Sequence, residues 1–118
     1  MKPSVLVIGR TYFRLMFADR DLTVPRVEPL VFLGEVTEEG GTNGFVFQDT
    51  DSYVHHGSGL EGDEQHEDIV LYFLPESEVG ALYDVEELAL EVAESARRAV
   101  SMNHPVLNVL RKEPKAGS

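Results

Sequence analysis

The strongest clustering of apolar positions falls in two neighbouring runs, Val27–Val36 and Gly44–Gln48. Their centres, Leu30-Val31-Phe32-Leu33 and Phe45-Val46-Phe47, hold the densest β-formers of the chain. Between them Glu38-Glu39-Gly40-Gly41-Thr42-Asn43-Gly44 is polar and glycine-rich. Two such runs with such a spacer predict a β-hairpin whose loop is longer than the two-residue type. A hairpin alone is marginal in water, so the other apolar runs are expected to pair with it or cover its face.

Upstream, Ser4–Ile8 and Thr11–Phe17 are both rich in strand formers, and Gly9-Arg10 between them reads either as a hairpin turn or as a bulge in one long strand. Within the second run, period two places Phe13, Leu15 and Phe17 on one face and Tyr12, Arg14 and Met16 on the other; the first set is expected to face the core. Asp19-Arg20-Asp21 and Pro25 predict a loop. Pro29 has no N–H to donate, which suits a position at the edge or beginning of a strand. Ile69–Leu74, stopped by Pro75, is continuously apolar and predicts a strand buried on both faces at the centre of the sheet.

Helical signals lie elsewhere. Asp49-Thr50-Asp51-Ser52 supplies capping side chains for one or two turns over Tyr53–His56, with Gly57 as the stop. Glu76–Tyr83 reads as a connection. Asp84 with Glu87 three residues later forms a capping box, and Tyr83 and Leu88 are placed for a hydrophobic staple. Val85, Leu88, Ala89, Val92, Ala96 and Val100 then recur at helical spacing, with Glu86, Glu87, Glu91 and Glu94 largely on the outer side and Arg97-Arg98 at the end, as the helix dipole favours. Asn103-His104-Pro105 should stop this helix, and Val106–Leu110 reads as a short edge strand.

The expected architecture is a single α+β domain over residues 1–110. It has a mainly antiparallel sheet of four to five strands with the helix 84–101 packed on one face, and a disordered tail follows at 111–118. The expected core comprises Phe13, Leu15, Leu33, Val46, Leu71, Leu88 and Val92. An apolar content of 42% over 118 residues supports one such core without staples.

Composition narrows the chemistry. With no cysteine, disulfides, thiolate metal sites and cysteine nucleophiles are excluded. Even the longest apolar runs, Val5–Ile8, Leu30–Leu33 and the longer Ile69–Leu74, fall far below the roughly 20 residues of a membrane span. The run after Met1-Lys2-Pro3-Ser4 is also too short for a signal-peptide core. A cytoplasmic location is the expectation.

The net charge of −11 is unevenly distributed. All ten Lys and Arg lie before Val27 or after Ala96, whereas Val27–Ala96 carries 18 of the 21 Asp and Glu. Ten basic against three acidic residues leave the two ends at +7 together. Phosphate contacts need Lys and Arg, so direct binding of nucleic acid or an anionic membrane through the middle is not expected. A basic protein or a cation fits better, and an acidic surface partly neutralised by the chain's own ends is the plainer alternative.

Several motifs fail on mechanism. Gly57-Ser58-Gly59-Leu60-Glu61-Gly62 has the letters of a dinucleotide fingerprint, but that motif requires a preceding strand and a helix N-terminus free of competing carboxylates. Asp49-Thr50-Asp51 begins like a calcium loop, yet Leu60 stands where the final glutamate belongs and Val54 where the turn glycine belongs. Ser58 is not in a nucleophile elbow.

Two candidate sites remain. His55, His56 and His66, among Asp63, Glu64, Glu67 and Asp68, are the side chains with transition-metal or catalytic potential, although neither H-x-H nor H-E-x-x-H is present and the loop would have to bring them together. The carboxylates alone form a looser oxygen cage for a hard cation. For a basic protein partner, the expected contacts are Asp49, Asp51, Glu61, Asp63, Glu64, Glu67 and Asp68.

The leading functional expectation is therefore a non-enzymatic acidic interaction protein without a resident cofactor, such as an inhibitor of immunity or antitoxin type acting on a basic protein. A divalent-metal enzyme or sensor built on the loop histidines is the second reading. A structural or regulatory subunit that forms a homodimer or larger oligomer through an edge strand is the third.

Overall fold

A computed structural model of the chain describes residues 5–37, 39–61 and 66–102. The hairpin forms from the two runs that predict it. Strands β1 (Thr11–Phe17), β2 (Pro25–Thr37), β3 (Asn43–Asp49) and β4 (Leu71–Pro75) make one antiparallel sheet in the order β1-β2-β3-β4. Helix α1 (Thr50–His56) follows β3 directly, α2 (Glu76–Val79) follows β4, and α3 (Val85–Ser101) comes last. This is the expected single α+β domain. The expected strand Val106–Leu110 and the tail 111–118 lie outside the described residues.

All of Leu30–Leu33 is buried because both faces of the sheet are covered, and a β-bulge follows directly. Phe32 pairs with Phe47, but the next partners are Gly34 and Val46, so Leu33 is an extra residue on β2. Gly34 has φ 153°, a conformation that a side chain would disfavour. By strand alternation Leu30 and Phe32 join Tyr12, Phe45, Phe47 and Leu74 on one face, while Val31 and Leu33 join Val46 on the other. The first face is closed by Val79 of α2 and by Leu82, both almost wholly buried. Tyr53 of α1, with Val36 and Leu71, packs against the second.

The core face of β1 is the reverse of the expected one. Tyr12 pairs with Leu30 and shares its buried face, whereas Phe13, Leu15 and Phe17 are only half-buried. Period two defines two faces but cannot say which one the later elements will cover. Phe13 also exchanges backbone hydrogen bonds with Tyr83 at 2.8 and 2.9 Å, so the outer edge of β1 is paired at that point. Antiparallel pairing alternates direction, which makes Phe13 and Pro29 a pair without mutual hydrogen bonds; the missing N–H of Pro29 therefore costs the ladder nothing. Residues 5–10 are not a strand: Arg10 N–H bonds to Val7 carbonyl at 3.1 Å, and Val5, Val7 and Ile8 are exposed.

Three further expectations change. β4 is an edge strand rather than a central one, and Phe73 is 56% exposed. A continuous apolar run shows no preference for the middle of a sheet when half of its side chains can remain at the surface. The connection 76–83 contains α2, whose Val79 lies three residues before Leu82 so that both reach the same core face. In α3 the capping box of Asp84 and Glu87 is formed, but the inner stripe is Leu88, Val92, Ser95 and Ala99. Val85 and Val100 point outward with Ala89 and Ala96.

The small side chains Ser95 and Ala99 permit close approach, and Ser95 can be buried because its hydroxyl donates to the Val92 carbonyl at 2.7 Å. Near its end α3 is held by Arg98, which donates to the Leu22 carbonyl at 2.9 Å and lies 5.5 Å from the centre of the Phe17 ring. Of the expected core, Leu33 and Val46 are buried; Phe13, Leu15, Leu71, Leu88 and Val92 are half-buried.

Candidate functional site

The segment joining α1 to β4 is fastened at both ends by the last two residues of β3. Gln48 is fully buried, and its side-chain amide donates to Ser52 Oγ at 3.0 Å and to the Gly57 carbonyl at 3.1 Å. Its side-chain carbonyl accepts the Gly59 N–H at 2.7 Å. Asp49 caps α1 by accepting the Ser52 N–H at 3.0 Å and the Ser52 hydroxyl. The same carboxylate accepts the Val70 N–H at 3.0 Å, and Asp49 N–H donates to the Val70 carbonyl at 3.2 Å.

This clamp places His56 and Asp68 opposite each other. His56 is in the last turn of α1, which Gly57 stops with φ 79° and an N–H bonded to the Tyr53 carbonyl at 2.8 Å. His56 Nε2 lies 2.9 Å from both carboxylate oxygens of Asp68. A carboxylate can only accept, so Nε2 carries the hydrogen. The His66 ring stacks on His56 with centroids 3.8 Å apart and planes 7° from parallel. One ligand-capable atom from each of His56, His66 and Asp68 lies within 4.8 Å of the others.

Two carboxyls here have pKa values held below the ordinary carboxylate value. For Asp68 the hydrogen bond from His56 is the main cause, opposed by burial. For Asp49 burial acts upward, but the hydrogen bonds from the Ser52 hydroxyl and the Ser52 and Val70 amides outweigh it.

The remaining expected site residues divide by place. His55 is exposed, edge-on to His56 with ring centres 5.1 Å apart, and stands outside the His56, His66 and Asp68 group. Asp51, Glu61 and Glu67 are exposed. The Asp49 carboxylate is half-buried and bonded within the cap of α1 and to Val70. Asp63 and Glu64 lie outside the described residues.

Gln48 was the residue hidden from sequence reasoning. Its signal is a lone amide at the end of the apolar run Phe45–Phe47, where a buried polar group must find partners. The glycines of Gly57-Ser58-Gly59 have structural reasons as well: Gly57 stops α1, and a Cβ on Gly59 would come within 3.1 Å of Ile69 and Leu71 side-chain atoms. Since a helix precedes them rather than a strand, the dinucleotide reading fails on topology too.

A second polar constellation centres on Arg14. Arg14 stands 3.4 Å from Glu28 and 5.6 Å from the centre of the Tyr72 ring, beside a shallow cleft lined by Leu15, Leu74, Glu78, Ala81 and Leu82. Burial, with Glu28 and Asp49 nearby, pushes the Tyr72 hydroxyl above its ordinary pKa, and Arg14 opposes the shift. Set against models of known families, curated proteins and solved structures, the chain matches none of them. Among the described residues no helix is long and apolar enough to cross a membrane.

Proposed function

We propose that this protein is an acidic interaction module that binds a basic protein partner, in the manner of small inhibitors of immunity or antitoxin type. The observation that carries this reading is the absence of Lys and Arg from Val27–Ala96 together with the exposure of ten of its carboxylates among the described residues. Arg14 and Arg97 reach back to Glu28 and Glu94. Asp51, Glu61, Glu67, Glu76, Glu78 and Glu86 stay exposed, and none is ion-paired among the described residues. Opposite charge of this kind mainly raises the association rate, and its effect shrinks once salt screens beyond about 8 Å.

The test is kinetic. A partner co-purified from the native cell is mixed with wild type and with the Glu61→Lys, Glu67→Lys double variant at low and high salt. Expected is a slower association for the variant and for both proteins at high salt, with dissociation little changed. An association rate indifferent to both the variant and the salt would reduce the acidic middle to a solvated surface.

A further inference from the structure

We propose that His56, His66 and Asp68 form a binding site for one divalent transition ion of zinc type, which closes the segment between α1 and β4. Nothing in this inference depends on the basic partner. The first argument is chemical. Two imidazoles and one carboxylate are a ligand set that suits zinc, cobalt or nickel, whereas calcium and magnesium prefer oxygen alone.

The second argument is geometric. The three ligand atoms already lie within 4.8 Å of one another. Ligands of a tetrahedral ion with bonds of about 2.0 Å stand about 3.3 Å apart, so the cluster needs adjustment of only about an ångström or two at side chains. His56 Nε2 and Asp68 oxygen are at 2.9 Å because a hydrogen lies between them. For the ion to take that place, His56 must present the Nε2 lone pair as the neutral imidazole with its hydrogen on Nδ1, and the pair then opens slightly. The parallel His66 ring requires a tilt to turn a nitrogen lone pair toward the same point. Water fills the remaining coordination position.

The third argument is the supporting structure. His56 is half-buried and set by the capped end of α1, while Asp68 lies two residues before Val70, whose backbone Asp49 holds. Ligands from two separately anchored points meet here, so an ion there joins the end of α1 to the residues just before Val70. His55, one residue from His56, points elsewhere and serves as an internal control.

The experiment uses untagged full-length protein in a buffer that does not chelate. Zinc is titrated calorimetrically, and cobalt is followed by its visible absorption, which reports coordination number directly. Expected is one equivalent of zinc per chain, a cobalt band of a four- or five-coordinate ion, and a rise in Tm with zinc. His66→Ala and Asp68→Asn should each weaken zinc binding by at least tenfold and abolish the Tm rise, while His55→Ala retains both. Magnesium should give no saturable signal. Far-UV circular dichroism of the metal-free variants checks that each is folded. Absence of saturable zinc binding to the wild type, or binding undiminished in folded His66→Ala and Asp68→Asn proteins, would overturn the assignment. The zinc titration needs no partner and the association assay needs no zinc, which separates failure of this site from failure of the acidic-partner reading.

Discussion

The side-chain carbonyl of Gln48 accepts the backbone N–H of Gly59 at 2.7 Å, so a residue at the end of a central strand fixes a loop eleven positions away. The same amide group bonds Ser52 and Gly57, and one buried side chain therefore joins β3, α1 and the following loop. Removing it should take one hydrogen bond each from Ser52 Oγ, the Gly57 carbonyl and the Gly59 N–H, and open a cavity. Gln48→Ala is expected to cost about 2 to 4 kcal/mol by denaturant unfolding. A loss below about 0.5 kcal/mol, the ordinary range of a surface change, would show that the loop is not held from the core.

Gly59 gives an independent test of the same contact. A methyl group there meets Ile69, Leu71 and Gln48 at 3.1 to 3.3 Å. Gly59→Ala should therefore destabilise by about 1 to 3 kcal/mol through overpacking. An unchanged Tm would mean that the loop can move away freely.

The different positions of two phenylalanines define the sheet order energetically. Phe47 on β3 is fully buried, while Phe73 on the edge strand β4 is exposed. Phe47→Ala should cost about 3 to 5 kcal/mol and Phe73→Ala less than about 1 kcal/mol. Comparable losses would place β4 inside the sheet instead.

Helix α3 offers a similar comparison. Asp84 accepts the Glu87 N–H at 2.8 Å and Glu87 returns a bond from the Asp84 N–H at 3.1 Å. Asp84→Ala should cost about 1 kcal/mol. Leu90→Ala, at a position 68% exposed, should stay within about 0.5 kcal/mol. The reverse order would mean that α3 docks through another face.

Acid stability should report on Asp19. Its carboxylate accepts the Thr23 hydroxyl and the Thr23 and Val24 N–H groups, and the Thr23 side-chain bond above all holds it below the ordinary value of 3.8, against the opposing effect of burial. A folded pKa below the unfolded one means that the unfolded chain binds the proton more readily in between. The stabilisation is therefore fully present above pH 3.8 and disappears as pH falls through the folded value. The stability difference between wild type and Asp19→Asn should be constant near neutrality and shrink below pH 3.8. A difference that persists unchanged into strong acid would remove the carboxylate as its source.

Local rules were enough for much of this fold. The β2–β3 hairpin, the cap and stop of α1, and the capping box of α3 all depend on residues close in sequence, whose backbone preferences and hydrogen bonds act over a few positions. The uneven charge is likewise a property of the chain alone. What local rules do not contain is the choice between equivalent faces and places. Tyr12 is buried in preference to Phe13 because α2 and Leu82 arrive on its side of the sheet. β4 takes an edge because pairing partners, not hydropathy, determine strand order. α3 docks through Ser95 and Ala99 because close approach and an internally bonded hydroxyl outweigh a more apolar stripe. The convergence of His56, His66 and Asp68 has the same origin. Their spacing in sequence has no metal period, and they meet because Gln48 and Asp49, at the end of one strand, bond to both ends of the segment that carries them.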